Sequence, residues 1–451
     1  MLSPPVHRSM QVLSRDAFRT TVRLLAVRVP VKHVGPARQK LGNDLFNQPR
    51  LRNVVNEQVH SDRKLLLLRD DIRDASELDK LSETSRELIN KEGYELAEHQ
   101  LEIDYDYWSA DEILSAILPE GSLVPGAFET IGHIAHMNLR EEFLPYKQLI
   151  GQVILDKNPR ITSVVNKTDS IDTTFRFFKM EVLAGVDDMV AEVRESGCRF
   201  RFDFSKVYWN SRLHTEHDRL LSMFRKGQRI CDVFAGVGPF AVPAAKRGCE
   251  VYANDLNPES YKYMCENAKL NKVKALHTYN LDGRDFIRKA FEDLKQADET
   301  AGRPFKPFDH VAMNLPATAI EFVDAFRGVL ADKLPAPTES NADLAASPKV
   351  MVHCYCFSKS DDPITDVVER TGQVLGEPLL AGTYEVFRVR RVAPHKEMLC
   401  VSFRLSDSVA FARQKRKDVG AETNADNTQA DNSEVATESE TKRPRTESTN
   451  E

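Results

Sequence analysis

Apolar and polar positions alternate along residues 199–209 (RFRFDFSKVYW) and 177–185 (FFKMEVLAG), the period-two pattern of half-exposed antiparallel strands. Residues 131–139 (IGHIAHMNL) and 149–157 (LIGQVILDK) are denser apolar runs, and their composition predicts two more strands around a short polar segment. Upstream, residues 41–120 are charged and helical in texture with few turn signals, and GSLVPG at 121–126 reads as a break. Beyond residue 212 the texture changes. An amphipathic helix at 212–224 is followed by a strand, glycine-bearing turn and helix at 228–248, then a second strand and helix at 249–273. Later strands are predicted at 310–316 and 349–358. Strands alternating with helices imply a parallel, doubly wound α/β sheet. Residues 383–405 break that rhythm with two β runs joined by a short turn, an antiparallel hairpin at the end of the sheet.

Composition narrows the class. The 451 residues carry 62 Lys and Arg against 68 Asp and Glu, so the chain is not a globally basic nucleic-acid binder. Residues 421–451 alone hold eight acids and three bases, so the remainder is near neutral and any RNA-binding surface is a local patch. No apolar run approaches the ~18 residues of a membrane span. Seven cysteines without framework spacing fit a reducing compartment. The pair Cys354 and Cys356 shares one strand face and lacks a second Cys/His pair, so it reads as core and no metal is expected.

The two ends are unlike the rest. Residues 1–40 contain eight basic residues and one acid, Asp16. The spacing of Arg15, Arg19, Arg23 and Arg28 is that of a mitochondrial transit peptide, whereas residues 21–30 (TVRLLAVRVP) read as an ordinary strand, with a cleavable presequence upstream left open. Residues 411–451 read as a disordered polar tail. Its basic clusters, 413–417 and 442–445, are solvated charge or nuclear-import signals. These features give cytoplasm, nucleus and mitochondrial matrix as the expected compartments.

Candidate chemistry centres on DVFAGVGPF at 232–240. Gly-x-Gly alone is a weak signal, but here a hydrophobic strand enters it and a helix leaves it. An acid, Asp255, ends the next strand 19 residues after Gly236. Small residues at Ala235, Gly236 and Gly238 let a ligand lie against bare backbone, and an acid at the second strand tip accepts hydrogen bonds from ribose hydroxyls. Ala241 replaces the third glycine of dinucleotide sites. Pro239, read as the first helical residue, leaves one fewer N–H for a pyrophosphate. The run therefore favours S-adenosylmethionine over NAD. Asp282, in LDGRDF, follows the third strand, where an acid can bind the adenine amino group. Asn314–Leu315–Pro316 ends the fourth, where strand C-termini line the crevice of an open α/β sheet and an amide plus a rigid turn suit a flat base.

Taken together, these runs resemble the tRNA (guanine-37-N1) methyltransferase family in its archaeal and eukaryotic form, over residues 15–408. The most specific stretches are IGHIAHMNLR, LIGQVILDKNP, SVVNK, FDFSKVYWNSRLHTEHDR, DVFAGVGPFAVPAAK and NDLNPES. The resemblance implies a class I, Rossmann-like S-adenosylmethionine-dependent methyltransferase domain at 206–410. It would be preceded by an N-terminal tRNA-recognition region at 1–122 and a small α+β domain at 123–205. The implied reaction is methylation of N1 of the guanosine 3′ to the anticodon, with tRNA as partner, no membrane, and a monomer. Carried over by motif, Glu216 matches a general base and Arg176 a substrate arginine. Asn314 matches a residue facing cofactor and base. His217, Asp255, Leu256, Asp282 and Gly283 match cofactor contacts, beside Asp232, Gly236 and Gly238 of the glycine turn. Ser211 departs from the family, where a proline is expected.

Guanine N1 carries a proton at neutral pH, so its lone pair appears only when that proton leaves and charge moves to O6. A carboxylate base and an arginine at O6 answer that need. Read from its helix alone, Glu216 is a face acid pairing with Arg219 or Arg212; the motif match makes it the base. A stacked guanine must be flipped out, and Tyr208 offers a ring to stack on while Pro316 shapes the substrate side. Trp209 is equally a core residue. Two other functions fit the same residues: an aminocarboxypropyl transferase of the wybutosine pathway, and a non-catalytic RNA-binding protein.

Overall fold

The computed structural model describes residues 2–8, 10–57, 60–168, 179–335 and 349–412. Arg176 and the tail from Arg413 onward lie outside the described residues.

The first sheet is antiparallel. Its strands are β1 (Thr20–Pro30), β2 (Val54–Asn56), β3 (Arg63–Leu67) and β4 (Glu95–Ile103), in the order β2-β3-β1-β4. Helices α1 (Val34–Leu41) and α2 (Glu83–Glu92) accompany it. The basic run at 21–30 is thus an interior strand, with Leu24 through Val27 buried. The helical texture expected for 41–120 is only partly right. β4 (ELAEHQLEI) keeps Glu95, Glu98 and Glu102 exposed, and strand pairing with β1 overrides the helix propensity of Glu, Leu and Ala.

The middle region holds α3 (Ala110–Ile117), β5 (Glu129–Ile131), β6 (Ile134–Met137), α4 (Lys147–Lys157), β7 (Ser163–Lys167) and β8 (Met180–Gly185), with sheet order β5-β6-β7-β8. The run at 149–157, expected as a strand, is the helix α4. Its buried residues Leu149, Ile150, Val153 and Ile154 recur at helical spacing, one face against the sheet. Gly132, at φ +60°, makes the turn between β5 and β6, where a Cβ would meet the Glu192 carbonyl at 2.8 Å. A hairpin, β9 (Val190–Glu195) and β10 (Cys198–Asp203), comes next. Phe200, Phe202 and Trp209 of this segment join Ile131, Ile134 and Val165 of the middle sheet to Val237, Val242 and Tyr263 further on. One apolar cluster therefore runs across residue 205.

The third sheet is the expected one. It contains β11 (Arg229–Asp232), β12 (Glu250–Asn254), β13 (Leu276–Tyr279), β14 (His310–Met313), β15 (Met351–Ser358), β16 (Tyr384–Ala393) and β17 (Lys396–Arg404). The order is β13-β12-β11-β14-β15-β17-β16, parallel through β15 and antiparallel in the closing hairpin. Helices α5 (His214–Met223), α6 (Ala241–Lys246), α7 (Pro258–Leu270), α8 (Gly283–Thr300), α9 (Pro363–Leu375) and the short α10 (Asp407–Ala410) complete it. Pro239 is not the first helical residue. It sits in the turn before α6, whose N-cap is Phe240. Cys354 and Cys356 are buried in the sheet core, as their strand placement predicts. Among the described residues no helix is long and apolar enough to cross a membrane.

Candidate active site

The strand order reverses at β11, so its loop and those after β12, β13 and β14 open onto one crevice beyond the carboxyl ends of the strands. A cavity of about 490 Å³ lies there. Gly236, Asp255, Leu256, Asp282, Gly283, Asn314, Pro316 and Tyr208 all line it, as the sequence led us to expect.

Asn254, buried at the end of β12, pins the rim. Its amide donates to the Val233 and Leu281 carbonyls (3.2 and 3.0 Å), and its oxygen accepts from the Leu281 N–H at 2.8 Å. The next residue, Asp255, accepts from the Gly236 N–H at 2.8 Å and from the Asn257 N–H at 2.9 Å. Each oxygen thus keeps lone-pair capacity on the cavity side. Gly236 sits at φ +56° with nothing within 4 Å of where a Cβ would project, while Gly238, at φ +97°, has Val242 at 2.7 Å from that point. The first glycine therefore gives the cavity bare backbone, and the second lets the turn close on its helix. Asp282 caps α8, accepting the Arg284 N–H at 2.8 Å, and Gly283 fits between the rings of Phe234 and Phe322.

Asp232 does not line the cavity. It is fully buried at the end of β11, and both carboxylate oxygens lack a hydrogen-bond partner. Burial, and secondarily the neighbouring Asp255, push its carboxyl up to about 8; the Phe234 amide pulls the other way from outside hydrogen-bond geometry. Burial likewise lifts Asp255 to about 6. The Asn314 side-chain oxygen is also buried without a partner. On the cavity wall, the orphaned Asn314 oxygen and an acid with spare lone pairs fit a ligand bearing hydroxyl and amino groups, and a second carboxyl buried behind them suits a positive charge, which together is the chemistry of S-adenosylmethionine.

Two expected residues stand behind the cavity wall. Glu216 is buried on α5, one helical turn after Leu213, which lines the cavity. Arg219 donates to both its oxygens (2.7 and 2.6 Å) and the Tyr355 hydroxyl donates to Oε1 at 2.7 Å. The helix-face pairing with Arg219 is therefore present. His217 is buried too, hydrogen-bonded to Glu195 of β9 with its ring edge-on to Phe240 at 4.7 Å, so its imidazole does not reach the cavity. Trp209 stacks on Phe202 at 4.9 Å and is core, whereas Tyr208 is half-exposed at the rim. Sequence reasoning missed Glu129, Phe357, Arg390 and Met398, which come from β5 and the β15–β17 region to form the far wall. The strands of Phe357, Arg390 and Met398 were legible while the short β5 of Glu129 was not, and no local signal says which strand ends turn toward this crevice.

The TRM5/TYW2 methyltransferase domain model matches residues 191–334, and the TYW2 N-terminal domain model matches residues 110–188. The chain is 45% identical over 448 residues to a tRNA (guanine(37)-N(1))-methyltransferase of Batrachochytrium dendrobatidis, covering 92% of this chain and 93% of that protein. It is 47% identical to the Danio rerio protein of the same name, covering 90% and 84%. Among solved structures, Trm5b from Pyrococcus abyssi superposes with a TM-score of 0.55 at 25% identity, covering 84% of this chain and 99% of that one.

Proposed function

The chain belongs to the tRNA (guanine(37)-N(1))-methyltransferase family, and we propose that the crevice beyond β11, β12 and β14 is where it performs that family's reaction on tRNA. It is a methyltransferase that moves a methyl group from S-adenosylmethionine to N1 of guanosine 37, next to the anticodon. The observation that carries the site assignment is the convergence of Asp255, Gly236, Asp282 and Asn314 on one cavity.

S-adenosylmethionine supplies the methyl group. Asp255 would hold its ribose hydroxyls, and Asp282 with the apolar walls of Leu256 and Phe322 would hold its adenine. Asn314, whose free oxygen is an acceptor, suits the N2 amino group at the guanine edge, and the Tyr208 ring suits its face. Glu216 would accept the N1 proton and Arg176 would face O6. Both roles rest on the family motif and on the need of guanine N1 for a base. A monomer is the assembly that the family resemblance implies, and the basic clusters at the two ends favour cytoplasm, nucleus and mitochondrial matrix as its compartments. With Phe18 buried in the core and residues 20–30 built into β1, a removable leader would have to end before Phe18.

Incubation with labelled S-adenosylmethionine and unmodified tRNA, followed by nuclease mapping and mass spectrometry of the nucleoside, tests this reading. N1-methylguanosine at position 37 is expected. An aminocarboxypropyl adduct would instead select the wybutosine-pathway alternative, and no transfer at all would favour a binding protein.

A further inference from the structure

The carboxylate assigned to proton transfer is on the wrong side of a wall. Glu216 is 4% exposed and absent from the cavity lining, while Leu213, the residue that caps α5 one turn earlier, and Phe357 and Met398 of the sheet face the cavity. Glu216 is also heavily tied: the Arg219 fork takes both oxygens and the Tyr355 hydroxyl takes Oε1 a second time, so three of about four acceptor positions are filled and Oε2 keeps one. A carboxylate accepting three donated protons, two from a guanidinium, has little lone-pair capacity left for a guanine N1–H. The ties reach across the fold, since Tyr355 lies on β15 and the Arg219 guanidinium rests 4.2 Å from the ring centre of Phe387 on the edge strand β16. Phe387 is 44% exposed, on the strand that also sends Arg390 to the cavity.

We propose that Arg219 and Tyr355 are positioning residues that latch Glu216 in a resting arrangement, and that the reactive arrangement requires the carboxylate to leave them and turn toward the cavity. The inference rests on the assignment of Glu216 as the base. Side chains of a helix tilt toward its N-terminus, so a rotamer change at Glu216 carries the carboxylate toward the turn of Leu213, about 4.5 Å along the axis. No new backbone path is needed. The observed rate is then the rate from the open arrangement multiplied by its population, so weakening the latch raises the rate. Neither Arg219 nor Tyr355 lines the cavity, so both act through Glu216.

Single-turnover methylation at saturating S-adenosylmethionine and unmodified tRNA decides the matter, with wild type, Tyr355→Phe, Arg219→Lys and Glu216→Gln compared in parallel. Tyr355→Phe removes one hydrogen bond and leaves the ring. It should raise the saturated rate on the order of three- to tenfold, with tRNA and cofactor affinity unchanged. Arg219→Lys keeps the charge, loses the fork and should move the rate in the same direction. Glu216→Gln should slow the chemical step at least ~10²-fold. If Tyr355→Phe is equal to or slower than wild type while its melting temperature and cofactor affinity are retained, and Glu216→Gln is slow, the latch is wrong and the base assignment stands. If Glu216→Gln stays within threefold of wild type, the base assignment falls and the latch falls with it.

Discussion

Ser211 donates both its backbone N–H (2.9 Å) and its hydroxyl (2.5 Å) to one oxygen of Glu129, across the junction between the middle sheet and the start of α5. Glu129 belongs to β5 and also lines the cavity. The bond therefore fixes a wall of the site from a part of the chain 82 residues earlier. Ser211 is the position where the family motif leads one to expect proline, and proline has no N–H to give. We expect Ser211→Pro to cost about 1–2 kcal/mol of stability through the lost bonds to a carboxylate. It should also raise KM for tRNA more than it lowers kcat, because it loosens the wall and leaves the cofactor loops alone. Thermal melts and steady-state kinetics together check this; an unchanged melting temperature would mean the contact is ornamental.

Asp255 has two jobs that substitution separates. It holds the Gly236 and Asn257 amides and keeps lone pairs for the ribose. Asp255→Ala should weaken S-adenosylmethionine binding tenfold or more, on the order of 1–3 kcal/mol, and should also lower the melting temperature. Asp255→Asn keeps one acceptor for the loop and should recover part of the melting temperature without recovering affinity. Calorimetry and melts on the two variants read this out. tRNA affinity should stay at the wild-type value in both, and a parallel loss of tRNA binding would contradict the assignment.

How legible this was depends on where each residue's information lies. Asp255 and Asn314 could be read because each follows directly on a hydrophobic strand, and Asp282 because it comes three residues after the end of the next one; parallel strands deliver their carboxyl ends to one crevice whatever the rest does. Arg390 and Glu129 could not, since their placement is set by which hairpin edge and which sheet pack over that crevice. The α4 run failed for a different reason. LIGQVIL is short and rich in β-branched residues, and a run of that length fits either period until the sheet beneath it selects one face. Glu216 was legible in type but not in state: its pairing with Arg219 follows from i,i+3 spacing, while the Tyr355 bond comes from 139 residues away.

Arg390 is one of two arginines that line the cavity, the other being the exposed Arg212. It lines the cavity from β16, and no side chain among the described residues pairs with it, whereas Arg388 on the same strand is tied to Glu397 at 2.8 Å. A phosphate beside the flipped guanosine is the natural counter-charge. Arg390→Ala should weaken tRNA binding about evenly across substrates and reduce the slope of log affinity against log salt by about one. Arg388→Ala should leave that slope nearly unchanged. Filter binding over a salt series measures both, and equal slopes for wild type and Arg390→Ala would remove Arg390 from the RNA site.

The two raised carboxyls make cofactor binding depend on pH, with a definite sign. Asp232, pushed to about 8, and Asp255, lifted to about 6, hold their protons more tightly folded than unfolded. Each therefore contributes stability that is complete below the unfolded value near ~3.9 and is lost as pH rises through about 6 and about 8 respectively. The ligand-free protein should accordingly lose melting temperature from pH 5.5 to 8.5 on their account. A ligand carrying positive charge favours the ionised carboxylates, so S-adenosylmethionine affinity should climb across the same interval and binding should release protons. S-adenosylhomocysteine, which lacks the sulfonium charge, should show a shallower climb. Calorimetry in buffers of different ionisation enthalpy counts the protons directly. Asp232→Asn removes the group with the higher value and should flatten the upper part of the profile between pH 7 and 8.5 while leaving the rise near pH 6. An affinity for S-adenosylmethionine that is flat from pH 5.5 to 8.5 would show that neither carboxyl changes its proton occupancy when the cavity fills.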